Sequence, residues 1–188
     1  MRIVCMIGLC LALAGCERPD WARQERPPLP PGARPAAPAV EAAPGPLARS
    51  EPRARSLDPL PAPPDWSTGL IGRPLAQAFP KAEACIGNTD AVVMRYEGSP
   101  AGARIAGWGW ELAARRPVAR VVLTDEAGAI LGAGSGGRPR RDVAKAHPEL
   151  TSHAVGWQAL TPRTEGVILA YGVAGDGEAV CLLGRIRL

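Results

Sequence analysis

Aromatic side chains are scarce in this sequence: five Trp, two Tyr and one Phe among 188 residues. Histidine and lysine each occur only twice, and no apolar run reaches 18 residues. These shortages exclude a polytopic membrane protein and a large two-domain enzyme. What is abundant is glycine, with 22 residues, and proline, with 21, about twice the ordinary combined share. The prolines are unevenly placed, 14 of them falling between Glu17 and Trp66. That leaves about 120 residues of ordinary composition, enough for one small domain.

The first sixteen residues read as an address. Met1 and Arg2 give a positive start, and Ile3 to Gly15 are apolar or small throughout. The run is too short to span a bilayer and has the build of a signal-peptide core ending in small residues. It closes on Leu13-Ala14-Gly15-Cys16, which resembles the lipobox of bacterial lipoproteins. The resemblance implies cleavage after residue 15, acylation of Cys16 and attachment to the membrane through that lipid. In that family a residue other than Asp after the cysteine, here Glu17, implies the outer membrane, with the protein facing the periplasm.

The other cysteines fit this compartment. Cys5 and Cys10 leave with the signal and lipid consumes Cys16, so two thiols remain, Cys85 and Cys181. An oxidising compartment invites one disulfide between them.

Residues 16–66 read as an acylated start followed by a disordered Pro/Ala/Arg-rich tether. Proline removes donors and favours the extended polyproline conformation, and such a segment cannot build a core. Seven arginines meet seven acids there, so the tether is a neutral spacer. Its 50 residues reach on the order of 150 Å if extended and about 40 Å as a coil. Residues 67–188 then form the expected domain, with 14 basic side chains against 11 acids. That bias is weak and unclustered, so nucleic acid is not expected as a partner.

Within the domain the spacing predicts a short helix in 70–82, broken by Pro74 and Pro80, and another near Arg141 to His147, stopped by Pro148. Seven short strands are predicted at 91–96, 103–110, 118–124, 129–135, 154–160, 167–173 and 179–183. The turns Asp125-Glu126-Ala127-Gly128 and Gly175-Asp176-Gly177 punctuate them. Alternation places Val167, Leu169, Tyr171 and Val173 on one face. The expected fold is mostly β, an immunoglobulin-like antiparallel sandwich of about seven strands. Gly107-Trp108-Gly109-Trp110, Val118 to Gly132, Arg140-Arg141-Asp142-Val143 and Gly156-Trp157 together resemble a small β-sandwich module of bacterial envelope and surface-polysaccharide proteins. The likeness covers about residues 85–181. Glu111 and the Ala113-Ala114-Arg115-Arg116 turn depart from it, standing where the module usually has Asp soon after the first Trp. The module brings no catalytic residues to transfer.

Chemistry-bearing residues are thinly spread. His147, Glu149 and His153 lie in His-Pro-Glu-Leu-Thr-Ser-His, whose spacing fits neither the i, i+4 pair of a zinc hydrolase nor a structural Cys/His site. Ser135, in Gly134-Ser135-Gly136-Gly137, lacks the full pattern of a nucleophile elbow, and the same stretch lacks the Lys of a phosphate loop. Asp125 and Glu126 sit in a turn. No enzyme, metal or cofactor is expected.

Binding asks for less. Trp108 and Trp110 are two apart and share a strand face, where they form either a platform for sugar rings or part of a core with Trp157 and Tyr171. With so few aromatics, the core reading is favoured. Arg138, Arg140 and Arg141 make the one positive cluster, able to meet carboxylate or phosphate, unless Arg141 pairs locally with Asp142. The expected function is therefore a non-catalytic, lipid-anchored accessory or structural module of the cell envelope, with a periplasmic protein partner. The alternative is a binder of acidic envelope polysaccharide or peptidoglycan.

Overall fold

The structure is a computed structural model that describes residues 51–175 and 177–188. The signal segment 1–15, Cys16 and the tether up to residue 50 lie outside the described residues.

Strand content dominates, as alternation and turn spacing predict. The strands are β1 (Arg55–Ser56), β2 (Lys81–Ala82), β3 (Cys85–Tyr96), β4 (Gly102–Glu111), β5 (Arg116–Pro117), β6 (Arg120–Thr124), β7 (Ile130–Arg138), β8 (Gly156–Thr161), β9 (Val167–Val173) and β10 (Ala179–Arg187). The seven long strands overlap the seven read from the sequence, with β3 starting six residues earlier and β10 running four residues longer than expected. Among the described residues two α-helices, α1 (Leu75–Ala78) and α2 (Arg141–Ala146), and a single 3-10 turn at Asp65–Ser67 accompany them. Pro74 precedes α1, whose last residue lies two before Pro80, and α2 ends one residue before His147-Pro148. Each stop follows from the donor that proline lacks and from its clash with the preceding helical turn.

All strands join one sheet, in the order β1-β3-β4-β8-β7-β6-β9-β10-β2, with β5 added to the end of β4. The short outer strands pair in parallel, β1 with β3 and β2 with β10, and every other ladder is antiparallel. The sheet curls so far that β3 packs against β10, yet among the described residues no ladder closes it into a barrel. A disulfide between Cys85 and Cys181 spans that seam, with its Cα atoms 5.6 Å apart.

The main core lies inside the curl. Val92, Ile105, Val121, Leu123, Trp157, Ile168, Leu183 and Ile186 fill it from six strands. Trp157 fits because its neighbour on β4 is Gly107: a Cβ there would stand 2.4 Å from the indole ring and 2.1 Å from the Asn88 carbonyl. At Gly109 a Cβ would press on Leu183 at 2.8 Å. In Gly107-Trp108-Gly109-Trp110 the glycines therefore face inward and both tryptophans outward.

Two smaller cores cover the outer face. Phe79, Val122, Ile130, Val173 and Val180 pack with Trp66, Leu70, Leu75 and Tyr171, so the segment leading into β2 lies over one half. This covering also explains β9: Ile168 and Ala170 face the main core while Tyr171 and Val173 face the second, so both faces are buried. Trp110, Val143, Leu150 and Val155 form the third core, under α2.

The domain starts earlier than composition suggests. Residues 53–60, placed in the tether by their prolines, pair with the first hairpin: Arg53 N–H donates to the Val92 carbonyl at 3.0 Å, and Leu60 N–H to the Pro100 carbonyl at 2.7 Å. Gly102 leaves room for Leu60, whose Cδ2 would stand 2.8 Å from a Cβ at that position. Extended, proline-rich chain suits such an edge because β1 needs only a few of its own donors to cover β3.

Candidate functional site

The arginine cluster and the strap at 51–66 meet on the outer face of β4, β8 and β7. Register aligns two rows there: Ala106, Gln158 and Ser135, then Trp108, Gly156 and Arg138. Over these rows lies a cleft of about 440 Å³ walled by Arg53, Asp90, Arg138, Arg140, Asp142 and Gln158. A second cleft, of about 300 Å³, adjoins it and is lined by Ala62, Pro64, Arg104, Ser135, Arg138 and Gln158. Arg138 and Gln158 belong to both.

The guanidiniums differ in their engagement. Arg140 is held by two carboxylates: its Nη1 donates to Asp90, and its Nε and Nη2 donate to Asp142 at 2.9 and 2.7 Å. Gly156 makes room for this, since a Cβ there would lie 2.8 Å from Arg140 Cγ. The hydrogen bonds from Arg140 hold the Asp142 carboxyl down at about 2, helped by the backbone N–H groups of Val143 and of Asp142 itself, while the Arg140 pKa is raised by the same bonds. The partner of Asp142 is thus Arg140 and not Arg141, which is exposed on α2. Arg53, Arg104 and Arg138 carry no ion pair among the described residues. Arg104 rests over the Tyr96 ring at 5.5 Å, which orients its charge.

No known protein family, curated protein or solved structure matches this chain.

Trp110 is 4% exposed and serves as the floor beneath α2, and Trp108 is half-buried with its ring tilted against His147 at 4.9 Å. Neither joins Trp157 or Tyr171: Trp157 fills the main core and Tyr171 lies in the second. The signal for this is the alternation of Gly with Trp, because Gly107 and Gly109 leave the concave side of β4 to Trp157 and Leu183, which turns the tryptophans between them outward. His147 Nδ1 lies 3.0 Å from Glu149, and among the described residues no group of three His, Cys, Asp or Glu side chains is placed to hold a metal. Ser135 is exposed on the cleft floor, and its hydroxyl has no hydrogen-bond partner among the described residues. Glu111 is buried, with one oxygen accepting from Arg116 Nε at 3.2 Å. Sequence reasoning missed Arg53, Arg104 and Gln158, which come from three separate segments that only the sheet brings together.

Proposed function

We propose that this chain is a non-catalytic, lipid-anchored protein of the bacterial cell envelope whose β domain binds an acidic envelope ligand at the arginine-lined clefts. The observation that carries the reading is the charge at the clefts: four guanidiniums against two carboxylates, both carboxylates held by Arg140. Guanidiniums that carry no ion pair among the described residues, set around a low floor beside the Gln158 amide, are suited to carboxylate or phosphate, which they grip with two parallel hydrogen bonds. The lipobox resemblance supports the anchoring at Cys16 and the outer-membrane location, and the Cys85–Cys181 disulfide suits an oxidising compartment. The likeness of residues 85–181 to small envelope β modules points the same way.

Two measurements test this. Titrating the full chain in detergent with isolated envelope polysaccharide should give saturable binding that weakens as salt rises, because exposed charges are screened. Arg138→Glu should weaken it by at least about tenfold, the factor that about 1.4 kcal/mol supplies. Binding indifferent to both salt and Arg138→Glu overturns the site. Cys16→Ser should move the protein from the membrane to the soluble fraction, and continued membrane retention overturns the anchor.

The accessory-scaffold reading has its own observation. Leu112 and Leu182, 44% and 55% exposed, each follow a residue of the Cys85–Glu111 or Cys85–Cys181 pairing, offering apolar surface beside the seam. Leu182→Ser leaving polysaccharide binding intact while abolishing capture of a periplasmic protein would assign that surface to a protein partner.

A further inference from the structure

We infer that the two clefts are a single groove for a linear acidic polysaccharide, laid across β4, β8 and β7, and that the strap at 51–66 forms the groove's walls. This rests on the acidic-ligand reading above and adds the length of the ligand, its saccharide nature and the part played by the strap.

The clefts share their central residues, Arg138 and Gln158, so a ligand in one is already in contact with the other. Their floor is low. Ala106, Gly156, Ser135 and Ala133 present small groups or none, and Gln158 alone rises among them. The strap borders both clefts: Arg53 stands at the β3 side of the first, and Ala62 and Pro64 border the second. Arg53 is fixed there by its backbone bond to Val92, and the chain then turns at the Leu60–Pro100 contact before reaching Pro64.

Charge placement argues for a chain over a small anion. Arg53 lies beside β3, Arg104 comes from β4 and Arg138 from β7, three strands along the sheet path from β3. Neighbouring strands are about 4.8 Å apart, so the backbone positions that carry these guanidiniums span about 14 Å from β3 to β7, more than one carboxylate covers. A polymer repeating a carboxylate along its length meets all of them in turn. Gln158 makes no side-chain hydrogen bond among the described residues, and its amide offers two donors and an acceptor, a pairing for hydroxyl groups that a bare polyanion lacks. Joining successive contacts through one chain raises avidity by about 10² to 10⁴ when the geometry permits both.

The test uses the full chain in detergent and four probes: galacturonate monomer, a galacturonate oligomer long enough to cross three strands, inorganic polyphosphate and polyuridylate. The oligomer should bind at least about tenfold tighter than the monomer. Arg53→Glu and Arg104→Glu should each weaken the oligomer by about fivefold or more at low salt while leaving the monomer unchanged, and Arg138→Glu should weaken both. Gln158→Ala should weaken the oligomer and leave any polyphosphate binding as it was. Thermal melts of each variant verify folding, since all four side chains lie at the surface of the groove. Equal affinity for monomer and oligomer overturns the groove while the acidic-ligand reading stands. Tighter binding of polyphosphate or polyuridylate than of the oligomer overturns the saccharide assignment. Failure of every probe to bind folded protein overturns both readings together.

Discussion

Trp157 and Trp110 are both nearly inaccessible, 1% and 4% exposed, but they are buried by different means. Trp157 sits on the concave side of the curled sheet, enclosed by strands on every side and admitted by the missing side chain of Gly107. Trp110 sits on the convex side and is enclosed only because α2 and the loop after it lie down over it. The concave side is filled by the same ladders that make the sheet. The convex side depends on covers added from outside, and where the described residues supply none, over β4, β8 and β7, the clefts open.

The largest effect should come from breaking the concave side. Trp157→Ala empties a space closed by backbone on several sides and should cost about 3–5 kcal/mol in chemical denaturation, lost cooperatively across the whole domain. Gly107→Ala should be nearly as harmful, because its Cβ would meet the Asn88 carbonyl, which cannot turn aside. A loss confined to α2 would refute the idea that the concave core holds the sheet. Next comes the seam. Removing the disulfide with Cys85→Ala and Cys181→Ala together should cost about 2–4 kcal/mol, since the bridge closes a 96-residue separation across an edge that no ladder of the described residues joins. An unchanged melting temperature would mean that the β3 and β10 side chains alone keep the sheet curled.

Trp110→Ala sharpens the contrast. Its effect on global stability should be smaller than that of Trp157→Ala, because α2 can lift away, and it should appear as faster hydrogen exchange at amides 143–150 with β8 and β9 amides unchanged. Loss of protection throughout the sheet would make the two tryptophans equivalent.

Much of this architecture was legible in the sequence. Strand positions followed from alternation and from turn glycines such as Gly128 and Gly177, both at positive φ, and helix ends followed from Pro80 and Pro148. What alternation could not reveal was that both faces of β9 are covered, since its pattern shows two classes of residue without naming the cover on each. Proline content misplaced the start of the domain for a related reason. A strap that borrows its partners from β3 needs no helix or strand signal of its own, so residues 53–60 look like tether and behave as an edge. The site was half legible: Arg138 and Arg140 stand together in sequence, whereas Arg53, Arg104 and Gln158 meet them only through the order β3-β4-β8-β7.

The smallest expected effect separates the convex cover from the core by pH. Asp142 titrates at about 2 when folded, below its ordinary 3.8, chiefly because Arg140 hydrogen-bonds the charged form. A depressed carboxyl contributes stability above its unfolded pKa and loses it as pH falls through the folded value, so this contribution is complete above about pH 4 and fades toward pH 2. Carboxyl NMR should therefore find a midpoint near 2 for Asp142, rising toward 3.8 in Arg140→Ala. Over the same range the amides at the start of α2 should loosen while those flanking Trp157 hold, since the Asp142–Arg140 pair lies on the convex side and that indole in the concave core. If both sets loosened together, the cover and the core would be one cooperative unit, and the clefts would be as rigid as the sheet beneath them.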